Sequence, residues 1–298
     1  LKSMKINKLY IYLFMFFLSG NIMAQQDPNY SFYRYSMNLV NPAYAGASNS
    51  TEFAASIRSQ WSGVAGSPET QSFLASTNIG SKVGLGASII NDKTFIETQT
   101  SVAIDFSYLV KWSENANIYF GLKASGNSYN ANTDGLTTFG IGSDPSLMDL
   151  NGGVNPNIGA GVYFQGKKLS LSFSMPKLLK ADRLEQQGGT ASVGKNKLHM
   201  YFMGAYDFEI NERLVLKPSS MIRHVESSPL SVDLTLALNY NSIFEFGTAY
   251  RIDESFGGFA LFNISHNLRV GYAYESSLDS AIMNDANGTH EIFLKVHL

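Results

Sequence analysis

No cysteine occurs among the 298 residues, and charged side chains make up only 15% of them, against roughly 25% in ordinary soluble proteins. Without a thiol there is no disulfide scaffold, no Cys-ligated zinc or iron–sulfur site and no cysteine nucleophile. The charges nearly cancel, 22 Lys+Arg against 24 Asp+Glu, so no basic excess exists for nucleic acid. Beyond residue 24 no stretch approaches the ~18 consecutive apolar residues of a membrane helix. The GxxxxGK[ST], HExxH, HxxxH and GxSxG patterns are all missing, which leaves no motif for a phosphate loop, a histidine-held metal or a lipase elbow. Abundant instead are 20 Phe, 16 Tyr and 26 Gly.

The start of the chain reads as an export signal. Lys2, Lys5 and Lys8 precede the apolar run Leu9 to Leu18, and Ile22-Met23-Ala24 offers a small residue for cleavage before Gln25. Ten apolar residues rise ~15 Å, half of a ~30 Å hydrocarbon core, so a cleaved signal over 1–24 fits better than an anchor. An exported chain without a membrane helix is either soluble or a β-barrel, and periodicity separates the two.

Apolar residues alternate at Val102, Ile104, Phe106, Tyr108 and Val110, with Ser101, Ala103, Asp105 and Ser107 between them. The pattern returns at Met200, Phe202, Tyr206, Phe208 and Ile210, at Val232 to Tyr240, and at Ile292 to Leu298. Strict alternation means strands with one apolar and one polar face. Fourteen such segments follow: 51–61, 68–78, 83–90, 98–111, 117–125, 153–164, 169–175, 197–210, 213–224, 230–240, 243–252, 256–264, 268–275 and 289–298. Tight gaps, such as 80–82, 113–116, 166–168 and 241–242, alternate with longer loops, notably 126–152, 176–196 and 276–288.

These features predict an all-β protein, a single antiparallel transmembrane barrel of about 14 strands with short periplasmic turns and longer outer loops. A soluble β-sandwich also alternates, but gives no reason for the regular gap lengths or the scarcity of charge. The predicted organisation is a signal at 1–24, a periplasmic or lumen-packed segment at 25–50 and the barrel at 51–298. Tyr108, Tyr119, Phe164, Tyr240, Tyr250 and Tyr274 suit interfacial girdles. Asp105, Lys123, Asp207, Glu209, Asp233, Glu245 and Arg251 fall on the inward set. Both signs are mixed there, which predicts salt-bridged filling rather than an ion-selective pore.

Little in the sequence carries chemistry. The five histidines, His199, His224, His266, His290 and His297, have no metal spacing, and no serine among many is singled out as a nucleophile. No catalytic, cofactor or metal residue is assigned. Asp279 and Asp285 read as solvated loop acids rather than as calcium ligands. Asn49-Ser50-Thr51, Asn263-Ile264-Ser265 and Asn287-Gly288-Thr289 match glycosylation sequons that chance explains. More pointed is the stretch before the first strand, where Tyr30, Phe32, Tyr33 and Tyr35 precede Asn41-Pro42-Ala43-Tyr44-Ala45-Gly46-Ala47. Small residues around Pro and Tyr suggest a close-packed turn, either filling the barrel mouth or docking a periplasmic partner.

Several blocks carry a family resemblance. They are Gln26-Asp27-Pro28, the run at 41–47, Arg58 with Gln60-Trp61, Gly84-Leu85-Gly86 with Asn91-Asp92, and Pro156-Asn157-Ile158-Gly159. Further on come Ser174-Met175-Pro176, Leu216-Lys217-Pro218-Ser219, Arg269-Val270-Gly271-Tyr272-Ala273-Tyr274-Glu275 and Gly288-Thr289-His290-Glu291-Ile292. In this order the chain resembles the PorP/SprF family of outer-membrane proteins of the type IX secretion system. That resemblance implies a non-enzymatic outer-membrane barrel which helps secrete or anchor one large adhesin-like surface protein with a type B C-terminal sorting domain. Its implied partners are that protein, the periplasmic ring components and outer-membrane lipid, with no nucleic acid and no cofactor. The resemblance supplies no catalytic residue. Asn41, Pro42, Tyr44, Gly46, Arg58 and Trp61 are the expected partner-binding cluster at the barrel mouth. Apolar pairs in the outer loops, Leu147-Met148, Leu178-Leu179 and Ile282-Met283, are further candidate contacts. The alternative is a diffusion or uptake channel for small solutes.

Overall fold

A computed structural model describes residues 28–48, 50–132, 150–179, 197–226 and 228–298. The expected signal at 1–24, the pair Leu147-Met148 and the side chain of Met283 lie outside the described residues. The strands are β1 (Glu52–Ser59), β2 (Glu69–Ile79), β3 (Val83–Thr94), β4 (Glu97–Ser113), β5 (Ala116–Ala131), β6 (Leu150–Gly166), β7 (Leu169–Met175) and β8 (His199–Tyr206). They continue as β9 (Phe208–Asn211), β10 (Leu214–Val225), β11 (Ser231–Tyr240), β12 (Phe244–Arg251), β13 (Ser255–Asn263), β14 (Leu268–Ser277) and β15 (Thr289–His297), with a short helix α1 (Ser280–Asp285) before β15.

Apart from β8 and β9, each strand pairs antiparallel with its sequence neighbour, and β15 pairs with β1, which closes the sheet into a barrel. Both β8 and β9 pair with β10, so they are two halves of one stave, and the barrel has 14 staves. The expected single strand over 197–210 is broken at Asp207, whose N–H turns to the Lys168 carbonyl. By the register on either side, Pro218, which has no N–H to give the ladder, falls beside the break, opposite Tyr206, the last residue of β8.

The alternation is a true division between lipid and lumen. On β4, Ile104 is 64% exposed while Asp105 beside it is 0% exposed. Outward apolar residues run from Val102 to Trp112 on that strand. At ~3.3 Å per residue and ~40° of tilt, that stretch covers ~25 Å, the height of an outer-membrane apolar band. Closure leaves no edge groups unpaired in lipid. One girdle expectation is corrected: Tyr119 is buried in the lumen against Tyr163, 5.8 Å between ring centroids. It shares the parity of Lys123, which also points inward.

One end of the barrel carries the turns 80–82, 114–115, 167–168, 212–213, 241–243 and 264–267. The other end is less uniform than expected, since 95–96 and 252–254 are as tight as turns. Reach on that side comes partly from the strands themselves: β4 and β6 have 17 residues each and β5 has 16. By the usual orientation the turn end is periplasmic and the loop end faces outward.

Candidate functional site

Residues 28–48 fill the lumen. They descend from the loop end, where Arg223 donates to Asn29, to the turn end, where the Gly46 N–H donates to Ser76 Oγ at 2.7 Å. The segment forms only three short 3-10 turns, Tyr33–Tyr35, Met37–Leu39 and Pro42–Tyr44. A buried chain this irregular cannot satisfy its own carbonyls, so the wall must. Lys295 Nζ reaches the Tyr35 carbonyl at 3.3 Å, Lys123 Nζ that of Asn38 at 3.1 Å, Ser174 Oγ that of Val40 at 2.9 Å and Ser107 Oγ that of Ala45 at 2.6 Å.

Asn41 is the pivot of the plug. Its Oδ1 accepts from the Ala43 N–H at 2.9 Å and caps the turn that Pro42 begins, while Nδ2 donates to the Val162 carbonyl at 3.1 Å and Ser172 Oγ at 2.7 Å. Tyr44 follows in the same turn and lies 4.9 Å from the Tyr163 ring. Higher up, Phe32 stacks on Phe293 at 5.0 Å and meets Phe259 edge-on at 5.6 Å. The Tyr33 hydroxyl bonds Ser219 and Thr235.

The wall is shaped for this segment. A Cβ on Gly84 would sit 2.0 Å from the Ala45 carbonyl oxygen, one on Gly121 2.1 Å from the Ala43 nitrogen, and one on Gly161 2.0 Å from Asn41 Oδ1. Three strands therefore give up side chains where the plug passes, and any other residue would obstruct its seat.

A charge cluster fastens the loop-end half. Arg58 donates to Glu275 at 3.0 Å, to Glu291 at 3.3 Å and to Ser31 Oγ at 2.9 Å, while the Ser31 N–H donates to Glu291 at 2.7 Å. Arg251 joins Glu275 at 3.1 Å and Asp233 at 2.6 Å. Toward the turn end, Lys217 pairs with Glu245 at 2.8 Å, Lys123 with Asp105 at 2.9 Å, and Lys295 with Glu52 at 2.9 Å. Arg34 of the plug meets Asp207 at the strand break. The inward charges are thus paired, as burial requires. Glu209 is the outlier, an exposed rim residue 3.2 Å from Lys168.

The six expected partner-binding residues do not form one cluster. Asn41, Pro42, Tyr44 and Gly46 lie in the turn-end half of the lumen, whereas Arg58 and Trp61 belong to the loop end. Six residue steps along β1 separate Glu52, which pairs with Ser76 beside Gly46, from Arg58, a rise of ~20 Å. Trp61 is partly exposed at a left-handed φ of 51°, and its N–H donates to Thr289 Oγ1 at 3.3 Å. Sequence reasoning missed Ser31, Glu275, Glu291 and the glycine track as a unit. The blocks that hold Gly84, Glu275 and Glu291 were visible, but their convergence with Ser31, Gly121 and Gly161 was not.

Among the described residues no group of three His, Asp or Glu side chains is arranged to hold a metal ion. One serine, histidine and carboxylate do meet, where Ser50 Oγ lies 3.4 Å and Glu52 Oε1 3.3 Å from His297. Both contacts fall on Nδ1, so the ring cannot carry a proton between them as a hydrolytic triad requires. Beside the plug, a small cavity of about 50 Å³ lies between Tyr30, Leu39 and Val40 on one side and Ser88, Gln99 and Tyr201 on the other.

A family model described as type IX secretion system membrane protein PorP/SprF matches residues 22–296. No curated protein matches the chain. Among solved structures, the Ralstonia pickettii toluene transporter TbuX is 13% identical, with 87% of this chain and 92% of that chain covered at a TM-score of 0.51. The Acinetobacter baumannii outer membrane protein Omp33 is 9% identical, with 84% and 99% covered at a TM-score of 0.49. At these identities the likeness to TbuX concerns the outer-membrane barrel fold alone.

Proposed function

Because this chain belongs to the PorP/SprF family of type IX secretion system membrane proteins, we propose that it serves that system as a plugged docking barrel without chemistry of its own. In this reading it helps secrete or anchor one specific large cell-surface protein, adhesin-like with a type B C-terminal domain. The observation that carries the reading is the filled lumen: residues 28–48 are seated on glycines and held by the Arg58–Glu275–Glu291 cluster. A barrel built around its own N-terminal segment offers surfaces to a partner rather than a passage. Asn41, Pro42, Tyr44, Gly46 and Arg58 then contribute by keeping the plug in place, and Trp61 by shaping the outer rim. Ring components of the machinery are the partners proposed for the turn end.

The space beside Tyr30 and Tyr201 favours a second reading, a channel for small solutes that slip past the plug. Affinity capture of the tagged barrel from native outer membranes, together with planar-bilayer conductance, separates the two. Co-purification of a large surface protein with a C-terminal sorting domain supports docking. A barrel recovered alone that conducts small solutes overturns it.

A further inference from the structure

The β1–β15 seam is the one contact between neighbouring staves whose strands do not follow one another in the chain. Arg58 and Glu291, which face each other across it, are 233 positions apart, so no turn fixes which residues meet. Alternation does not fix it either. A slip of one residue turns every side chain to the wrong face, but a slip of two leaves the lipid and lumen faces intact. In the observed register Ala55 faces Leu294 and Ala54 faces Lys295. Moving β15 by two residues would bring Ile292 opposite Ala55 and Lys295 opposite Glu52. The lipid face would stay apolar, and the Lys295–Glu52 pair would survive.

What such a slip would break is the fit to the plug. Three successive inward residues of β15 each meet one short stretch of it, residues 31–35. Glu291 accepts from the Ser31 N–H at 2.7 Å, Phe293 stacks on Phe32 at 5.0 Å, and Lys295 donates to the Tyr35 carbonyl at 3.3 Å. The first and last of these also reach β1, through Arg58 at 3.3 Å and Glu52 at 2.9 Å. The other half of the plug is seated on the wall from β2 to β6, at Ser76, Gly84, Gly121 and Gly161. Moving β15 by two residues would carry it ~7 Å past a plug that is fixed elsewhere. All three matches would be lost together.

We propose that residues 31–35 act in cis as an assembly template, which selects the register in which β15 closes against β1. The segment is tied to β1 by the chain and to β2–β6 by its seat, so it stands ready beside the open edge before the last strand arrives. Contacts from β15 to the plug then hold that strand near its partner, and offset the entropy of closing so long a loop. This is a function of the plug separate from partner binding. It holds for a docking barrel and for a channel alike.

The chain has no cysteine, so introduced pairs read the register directly. Ile57→Cys with Ile292→Cys reports the observed register, in which these residues face each other. Ala55→Cys with Ile292→Cys reports the two-residue slip, since a diagonal pair is too far apart for a disulfide. Each chain is refolded from urea into detergent micelles, oxidised, and scored for disulfide in the heat-modifiable band. With the plug unaltered only the first pair should close. Adding Ser31→Pro, which removes the N–H that Glu291 accepts, and Phe32→Ala should raise the slipped disulfide about tenfold. Tyr33→Ala is a comparable loss of packing, but turned toward Ser219 and Thr235 on β10 and β11, and should leave the slipped disulfide at background. No slipped disulfide in the doubly altered plug, or an equal rise with Tyr33→Ala, would overturn the template. Should the doubly altered chain give no folded band, the disulfide between positions 57 and 292 is formed in urea before refolding. Recovery of the folded band supports the template, because the covalent link then does its work. No recovery overturns it and leaves the plug as filling alone.

Discussion

Asn41→Ala is the most direct test of whether the plug is a fastened part of the barrel. The substitution removes the cap on the Pro42–Tyr44 turn and both bonds to the wall, to the Val162 carbonyl and Ser172. A lost cap costs about 1 kcal/mol. Each buried wall bond adds about 1 kcal/mol more. The plug should therefore lose about 3 kcal/mol relative to its displaced state, a ~100-fold rise in the displaced population at 1.4 kcal/mol per factor of ten. The barrel ladder is untouched, since only one backbone carbonyl of the wall loses an extra donor. Hydrogen exchange in detergent reads this locally, because the Asn41, Tyr44 and Ala45 amides are bonded only within the plug. Their protection should fall ~100-fold while the β4–β5 ladder stays protected. Leu122→Ala, on the lipid face, should leave plug exchange unchanged. Exchange of the three amides within about threefold of wild type in Asn41→Ala would refute the reasoning.

Gly121→Val should unseat the plug more completely, because its Cβ would lie 2.1 Å from the Ala43 nitrogen; the expected result is stable conductance in bilayers where the unaltered barrel is closed, and a still-silent barrel would contradict it. Arg58→Ala leaves Glu291 buried beside Ser31 without its cation, and should destabilise the loop-end half of the plug by about 3–5 kcal/mol. Arg58→Lys, unable to span both carboxylates, should recover only part of that loss, as read by proteolysis after Arg34. Tyr44→Ala and Trp61→Ala together should impair display of the partner while a heat-modifiable barrel persists in the membrane, and normal display would count against both. Taken singly, Tyr44→Ala should raise conductance and Trp61→Ala should not, because the two residues stand at opposite ends.

The strands were legible because a lipid exterior and a polar interior impose a period of two on every stave. All fourteen segments correspond to staves, with errors mainly at ends such as 125, where β5 continues to Ala131. Asp207 was read as mid-strand, because the effect of Pro218 is exerted across the ladder and not along the chain. Tyr119 was placed in the girdle because a tyrosine near a strand end suits either face; its neighbour Tyr163 in the lumen comes from another strand.

The sequence by itself thus determined the class of the protein: an alternating chain poor in charge, with tight turns and no membrane helix, closes into a barrel. It also determined which residues are small or aromatic enough to pack together at 30–47. Only the tertiary structure decided where that segment goes. The Arg58–Glu291 pair spans 233 positions, and it exists because β15 meets β1 on closure. Periodicity records which face a side chain takes, since every strand feels the same two environments. It records nothing about which residues of other strands share that face at the same height. For this reason Asn41 and Trp61, 20 positions apart in the chain, stand at opposite ends of the barrel, while Ser31 rests on Glu291.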